Sequence, residues 1–252
     1  MNIVITSITE GIGRALVKHL IAKGHAVWGI SKRDDVVHAI KGEVGKGAFN
    51  ASVCESAHNE EIERVVQEME NANFIPDAVV INATSYVNEL TSQSFNYQLL
   101  KKSIEVNFLG PMHWVEKFLP NFIARNHGQF IAFSSTSSFR PDINTLSYPS
   151  SKAALVLAFR SLRLHFDKYA VQFKTIYFGP VATSDNPHWM SSRGTPKYFF
   201  VTDPRKAAIY VEKILTKKRE DYYFPFLITL LLRVSLWLPD RFFASVSKLL
   251  KH

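Results

Sequence analysis

A single cysteine, Cys54, occurs in the 252 residues. That excludes a framework of internal disulfides and fits a reducing, cytoplasmic setting. The nine histidines are scattered, with no Cys or His at zinc-ligand spacing, so no metal is expected. The opening Met-Asn-Ile-Val-Ile-Thr has no basic stretch followed by a long apolar one, which argues against a secretory signal. No apolar run reaches the about 20 residues that cross a bilayer. The nearest, 224–238, has fifteen residues and contains Arg233. No linker, low-complexity tract or internal repeat divides the chain, so one domain over 1–252 is expected. Lys and Arg number 30 against 22 Asp and Glu, a net charge of +8. These cations are dispersed, and the densest run, Lys217-Lys218-Arg219, is followed at once by Glu220-Asp221. Without a basic stripe interleaved with aromatics, nucleic acid is not an expected partner.

What is present is an alternation of short β-rich runs with helical patterns. Strands are predicted at 2–6, 26–30, 48–50, 77–82, 129–134 and 171–178, and helices at 11–23, 55–70, 101–125, 148–169 and 203–217. The run at 78–81 is wholly apolar, as in a parallel strand covered on both faces. Repeated strand–helix units predict an α/β fold, a doubly wound parallel sheet of Rossmann type, with ligands at the carboxyl ends of its strands.

The most informative stretch is Tyr148-Pro149-Ser150-Ser151-Lys152. On a helix, residues four apart share a face. A phenol titrates near pH 10, and an adjacent ammonium favours its ionised form. Reaching neutrality takes about 3 units, or about 4 kcal/mol of differential interaction. The pair can then exchange protons as a general acid and base. Alone, such a spacing also arises by chance on a solvated helix face. At the other end, Thr6-Ser7-Ile8-Thr9-Glu10-Gly11-Ile12-Gly13 follows the first strand and opens a helix. Glycines there let a pyrophosphate approach the backbone and the helix N-terminus.

Together these residues resemble the short-chain dehydrogenase/reductase family. Its nucleotide motif, Thr-Gly-x-x-x-Gly-x-Gly, is matched by Thr6, Gly11 and Gly13, with Ser7 in place of the first glycine. Asn82-Ala83-Thr84 stands where the family has Asn-Ala-Gly after the fourth strand. Asn107 matches the family's helix asparagine, and Ser135 lies thirteen residues before Tyr148, the family's usual separation. Gly179-Pro180-Val181-Ala182-Thr183 follows the sixth strand, where the family has a Pro-Gly or Gly-Pro turn that meets nicotinamide. The resemblance covers about residues 1–215.

It implies an oxidoreductase moving hydride between nicotinamide and a carbonyl or alcohol. Tyr148 would carry the proton, Lys152 lower the Tyr148 pKa, Ser135 steady the developing alkoxide, and Asn107 hold a water chain behind Lys152. Expected cofactor contacts are Thr6, Ser7, Gly11, Ile12, Gly13, Ser31, Lys32, Arg33, Asn50, Asn82, Tyr148, Lys152, Val181 and Thr183. An acidic residue at the end of the second strand would grip a ribose diol. Here Ser31, Lys32 and Arg33 stand there, which suits a 2′-phosphate and hence NADP(H) over NAD(H). Glu10 argues mildly the other way. The structural alternative is that Asn82 only caps the strand-end turn, Asn107 only bonds a helix carbonyl, and Lys32-Arg33 is a basic surface turn. A second functional reading is a nucleotide-binding regulator or scaffold without turnover, favoured by Ser7 and Thr84.

Segment 183–202 carries Trp189, Met190, Tyr198, Phe199 and Phe200, either a wall for an apolar substrate or packing. Beyond it the chain departs from the family, which commonly ends with a strand and a Gly-rich turn. Segment 224–251 is an apolar and amphipathic extension with three open readings: a membrane-surface element, a subunit or pocket cover, or core. The resemblance implies a small carbonyl or alcohol substrate and a homodimer or homotetramer, and the extension adds peripheral membrane contact through 224–251 as an expected partner surface.

Overall fold

The computed structural model describes residues 1–44, 48–55, 58–91, 93–143, 145–182 and 201–242. β1 (Asn2–Thr6) is buried from Ile3 onward and leads through a loop into α1 (Gly11–Ala22), which buries Leu16, Val17 and Leu20. β2 (Ala26–Ser31) is followed by α2 (Asp34–Val44), a helix the sequence patterns do not announce. Asp34 and Asp35 favour its positive end, and burial of Val36, Val37 and Ile40 holds it down. β3 (Phe49–Val53) runs past the expected end at Asn50, and α3 (Asn59–Asn71) follows.

After β4 (Ala78–Ile81) a long helical run begins at Asn96, whose side chain accepts from the Gln98 and Leu99 N–H groups at 3.0 and 3.1 Å. It comprises α4 (Tyr97–Ile104), a π turn (Glu105–Leu109) and α5 (Gly110–Ala124), so the helix expected over 101–125 is longer and has a widened turn inside it. Then come β5 (Gly128–Ser135), a 3-10 turn (Thr136–Phe139), α6 (Ser147–His165), β6 (Val171–Phe178) and α7 (Pro204–Leu215). β7 (Asp221–Phe224) corrects the expected departure near residue 215: a last strand is retained before α8 (Phe226–Val234).

Among the described residues the strands form one seven-stranded sheet, ordered β3-β2-β1-β4-β5-β6-β7 and parallel at every pairing. Alternate residues feed two cores. Ile3, Ile5, Val80 and Ile131 pack with α1 and α7, while Val4, Val79 and Phe130 pack with Trp114 and Phe122 of α5 and Phe159 of α6. Strand order reverses between β1 and β4, so a crevice opens at the carboxyl ends of those two strands.

Candidate active site

The crevice begins where β1 ends. Thr6 is fully buried, and its Oγ1 accepts from the N–H groups of Asn82 and Ala83 at 2.9 and 3.1 Å. Ser7 turns the chain at φ +58, the left-handed region in which glycine is at ease and other residues cost about 1–2 kcal/mol. Its carbonyl accepts from Asn82 Nδ2 at 2.6 Å, which offsets part of that strain. A Cβ on Gly13 would lie 2.1 Å from the same carbonyl oxygen and 2.6 Å from Asn82 Nδ2, so only glycine fits there. Gly11 and Ile12 open α1 beside it. The first-turn amides of a helix carry its positive end. A missing side chain beside such a turn is the cradle a pyrophosphate needs, and the loop fits a dinucleotide.

Ser31, almost wholly buried, ends β2; its Oγ accepts from Arg33 N–H at 3.0 Å and lies 3.2 Å from Thr9 Oγ1. Lys32 and Arg33 are exposed beside it. Arg33 Nε donates to Asp35 Oδ1 at 3.1 Å, a bond that raises the guanidinium's pKa and lowers that of the carboxyl. Asn50 is a correction. It is exposed and pairs with Trp28 in mid-strand; the residue beside Ser31 is Val53. Asn50 thus stands three residues, about 10 Å, short of the edge where the loops gather. Val181 bridges to Thr202, with Ala182 N–H donating to the Thr202 carbonyl at 3.0 Å. Thr183, the aromatics of 183–200 and the last part of 224–251 lie outside the described residues.

Tyr148 is the second residue of α6, Lys152 sits one turn later, and Ser135 closes β5. Ser135 Oγ accepts from Ser137 N–H at 3.1 Å and is near enough to the Tyr148 phenol to lower its pKa. Lys152 Nζ donates to Thr84 Oγ1 and to the Phe133 carbonyl, each at 3.0 Å, and lies 6.0 Å from the centre of the Tyr148 ring. Burial pushes the Lys152 pKa down to about 7. Burial also raises the Tyr148 pKa, against the opposing effect of the Ser135 hydrogen bond. Lys152 is not among the causes of that shift. An amine near half-charged at neutral pH, 6.0 Å from the ring centre, does not outweigh taking a phenolate out of water.

Asn107 lies in the π turn, fully buried. Its Oδ1 accepts from Ser85 N–H at 2.6 Å, and its Nδ2 has the Ser85 carbonyl at 2.8 Å, Ser151 Oγ at 3.0 Å and Ser103 Oγ at 3.1 Å. Both amide atoms are engaged by the protein, so this side chain clamps the turn after β4 onto α4 and α6. Widened turns of this kind recur at functional sites.

Three further residues at this edge escape sequence reasoning. Thr84 holds Lys152. Tyr86, half exposed, sets its ring edgewise to Tyr148 with centres 5.2 Å apart. Glu89, 1% exposed, caps α6: it accepts from the N–H groups of Leu146 and Ser147 and from the hydroxyls of Thr145 and Ser147. Burial pushes the Glu89 pKa up, but these bonds outweigh it and hold the carboxyl below its usual range. An exchange of glycine for Thr84 hinted at the first; nothing in the sequence pairs Glu89 with a helix 57 positions away.

Residues 1–193 match the short chain dehydrogenase family. The chain belongs to that family. As a short chain dehydrogenase it is an oxidoreductase acting on CH–OH or C=O groups. It is 24% identical over 217 residues to a fatty acyl-CoA reductase of Acinetobacter baylyi, covering 85% of this chain and 72% of the relative. Against epidermal retinol dehydrogenase 2 of Mus musculus it is 29% identical over 157 residues, 60% of this chain and 50% of the relative. Among solved structures, serine dehydrogenase complexed with NADP+ superposes with a TM-score of 0.81 at 20% identity, covering 89% and 94% of the two chains. A 3-ketoacyl-(acyl-carrier-protein) reductase from Brucella melitensis, complexed with NADH, does so at 0.80 and 16%, covering 88% and 96%. Among the described residues of this dehydrogenase, no group of three His, Cys, Asp or Glu could hold a metal ion, and no helix is long and apolar enough to cross a membrane.

Proposed function

We propose that this chain reduces or oxidises an apolar, lipid-like carbonyl or alcohol with NADP(H), using Tyr148 as the proton carrier. The observation that carries the reading is the convergence of Tyr148, Ser135 and Lys152 at the carboxyl ends of β4 and β5, beside the glycine turn that fits a dinucleotide. A bound nicotinamide supplies or takes the hydride. In reduction the Tyr148 hydroxyl gives its proton to the carbonyl oxygen as hydride reaches the carbon. Ser135, beside that phenol, donates to the same oxygen as charge develops on it. Lys152 completes the proton-holding pair and leaves a donor for the nicotinamide ribose.

The NADP(H) reading rests on the buried Ser31, which brings no carboxylate to the ribose, and on exposed Lys32 as the cation for a 2′-phosphate, with Arg33 shared with Asp35. The apolar substrate reading rests on the names of the two relatives and on Tyr86, Ile143 and Leu146, all large, all exposed, and all close to Tyr148 in space or in sequence. Assembly as a homodimer or homotetramer is supported by Leu157 and Leu164, 62% and 81% exposed on α6. Peripheral membrane contact of a cytoplasmic protein is supported by α8 and the turn after it, where Phe226, Leu227, Val234 and Trp237 are all more than half exposed. Failure to sediment with phospholipid vesicles would remove that last element.

The deciding experiment measures NADPH and NADH oxidation with a panel of long-chain aldehydes and ketones, for wild type and Tyr148→Phe. Losing a general acid costs about 10²–10⁴-fold in rate. Tyr148→Phe is expected to show that loss while binding NADPH as before. A variant keeping more than about a tenth of the activity, or a wild type that prefers NADH, refutes the corresponding part of the proposal.

A further inference from the structure

We infer that Thr84 is a positioning residue for Lys152, and that its hydroxyl ties the lysine's ammonium to the same turn that shapes the dinucleotide loop. The inference rests on the reading of Lys152 as part of the active site.

Lys152 is 2% exposed, and among the described residues no carboxylate pairs with it. Its ammonium has three hydrogens. One goes to the Phe133 carbonyl of β5 and one to Thr84 Oγ1, both at 3.0 Å. Among the described residues these are its two hydrogen-bond acceptors. Thr84's own hydroxyl hydrogen points to the Asn82 carbonyl at 3.3 Å, which turns an oxygen lone pair toward the lysine. Among the described residues, Thr84 is therefore the one side chain that hydrogen-bonds Lys152.

The turn carrying Thr84 is pinned from both sides. Upstream, the Asn82 and Ala83 N–H groups rest on Thr6 Oγ1, and Asn82 Nδ2 holds the Ser7 carbonyl against Gly13. Downstream, Asn107 grips both the N–H and the carbonyl of Ser85. With the backbone locked at 82, 83 and 85, the Thr84 hydroxyl is a fixed point rather than a mobile one. Glycine at this position would keep the turn and leave the ammonium one bond short. Among the described residues, the groups that face Lys152 are Thr84 from the turn after β4, the Phe133 carbonyl from β5, and the Tyr148 ring from its own helix. Of these only Tyr148 titrates. A hydroxyl acceptor favours the charged amine, so its removal moves the lysine further toward its neutral form.

The test uses the full chain with Thr84→Val, which keeps the shape and loses the hydroxyl, and Thr84→Ser, which keeps the hydroxyl. Lysine labelled with ¹³C at Cε reports the Lys152 titration by NMR without cofactor, its signal assigned by its absence in Lys152→Met. The titration midpoint is expected to fall by about half a unit or more in Thr84→Val and to stay in place in Thr84→Ser. In turnover, the alkaline limb of kcat shifts down by the same amount in Thr84→Val, about a threefold loss on that limb, with KM for the carbonyl substrate nearly unchanged. If valine's methyl prevents folding, Thr84→Ala replaces it. A Thr84→Val or Thr84→Ala protein whose Lys152 titrates as in wild type overturns the inference. Should the midpoint move while Lys152→Met remains active, the positioning contact stands and it is the proposed catalytic role of Lys152 that fails.

Discussion

Gly13→Ala is the sharpest perturbation the structure offers, because the added atom meets backbone. Its Cβ would stand 2.1 Å from the Ser7 carbonyl oxygen, where real Cβ contacts essentially never fall under 3.0 Å. The Ser7 carbonyl must retreat by about an ångström, and it cannot do so freely. Ser7 is already at φ +58, and Asn82 Nδ2 holds that oxygen at 2.6 Å. Overpacking of this kind costs about 1–3 kcal/mol. The Asn82 bond, once broken, adds about 1 kcal/mol. A total of about 2–4 kcal/mol corresponds in a chain of this size to a fall in Tm of about 4–16 °C. The same retreat spoils the dinucleotide cradle, so NADPH affinity, read by fluorescence titration, should fall about tenfold or more, the equivalent of 1.4 kcal/mol. Gly42→Ala is the control: nothing lies within 4 Å of its added carbon, and it sits inside α2. There alanine should stabilise by about 0.5–1 kcal/mol. Gly13→Ala melting within about a degree of wild type, or binding NADPH equally well, would refute the close-approach reasoning.

Two further perturbations test the supports of the site. Glu89→Ala strips α6 of its cap and should cost about 2–4 kcal/mol; because the Glu89 pKa is depressed, its contribution is present above pH about 4.5 and lost as pH falls through the folded value, so the gap to wild type should close in acid. Urea titrations at pH 4 and pH 7 showing an unchanged gap would contradict this. Lys174 donates to Gln129 Oε1 at 2.7 Å and the Ile214 carbonyl at 3.0 Å, and burial pushes its pKa down to about 8 from 10.5. The unfolded chain then binds more protons between those values, so Lys174 adds a rise of stability with pH across that window, and Lys174→Met should remove it. Equal pH dependence of the two proteins between pH 7.5 and 9.5 would show that Lys174 carries no such burden.

The fold was legible because its strands are short, apolar and separated by helical patterns, as at Asn2–Thr6 and Ala78–Ile81. α2 was not, because its apolar residues Val36, Val37 and Ile40 make too short a stripe to stand out, and it is packing that holds them. β7 was hidden by the apolar run that starts at its last residue, Phe224. In the site, Tyr148, Lys152 and Ser135 were visible as residue types at fixed spacing, whereas Asn50 was misplaced by a strand that runs to Val53. Thr84 and Glu89 act across 68 and 57 positions, distances over which sequence periodicity carries no information.

The upward shift at Tyr148 bears on how the site works. The same burial that pushes Lys152 down to about 7 keeps the Tyr148 phenol protonated at neutral pH. A protonated phenol is the form that donates, so the protein at rest already holds the acid that reduction requires. Oxidation needs the opposite form, and the route to it runs through Lys152: whatever fixes a full charge on that amine also lowers the cost of the phenolate. Thr84 and the Phe133 carbonyl supply two of the bonds that favour this charge, and a partner beside Lys152 in the crevice can supply another. Proton affinity at Tyr148 is thereby linked to occupancy beside Lys152 through a single buried amine. Thr84→Val should therefore move the acid limb of the kcat profile for alcohol oxidation to higher pH, and a limb that stays in place would break the link.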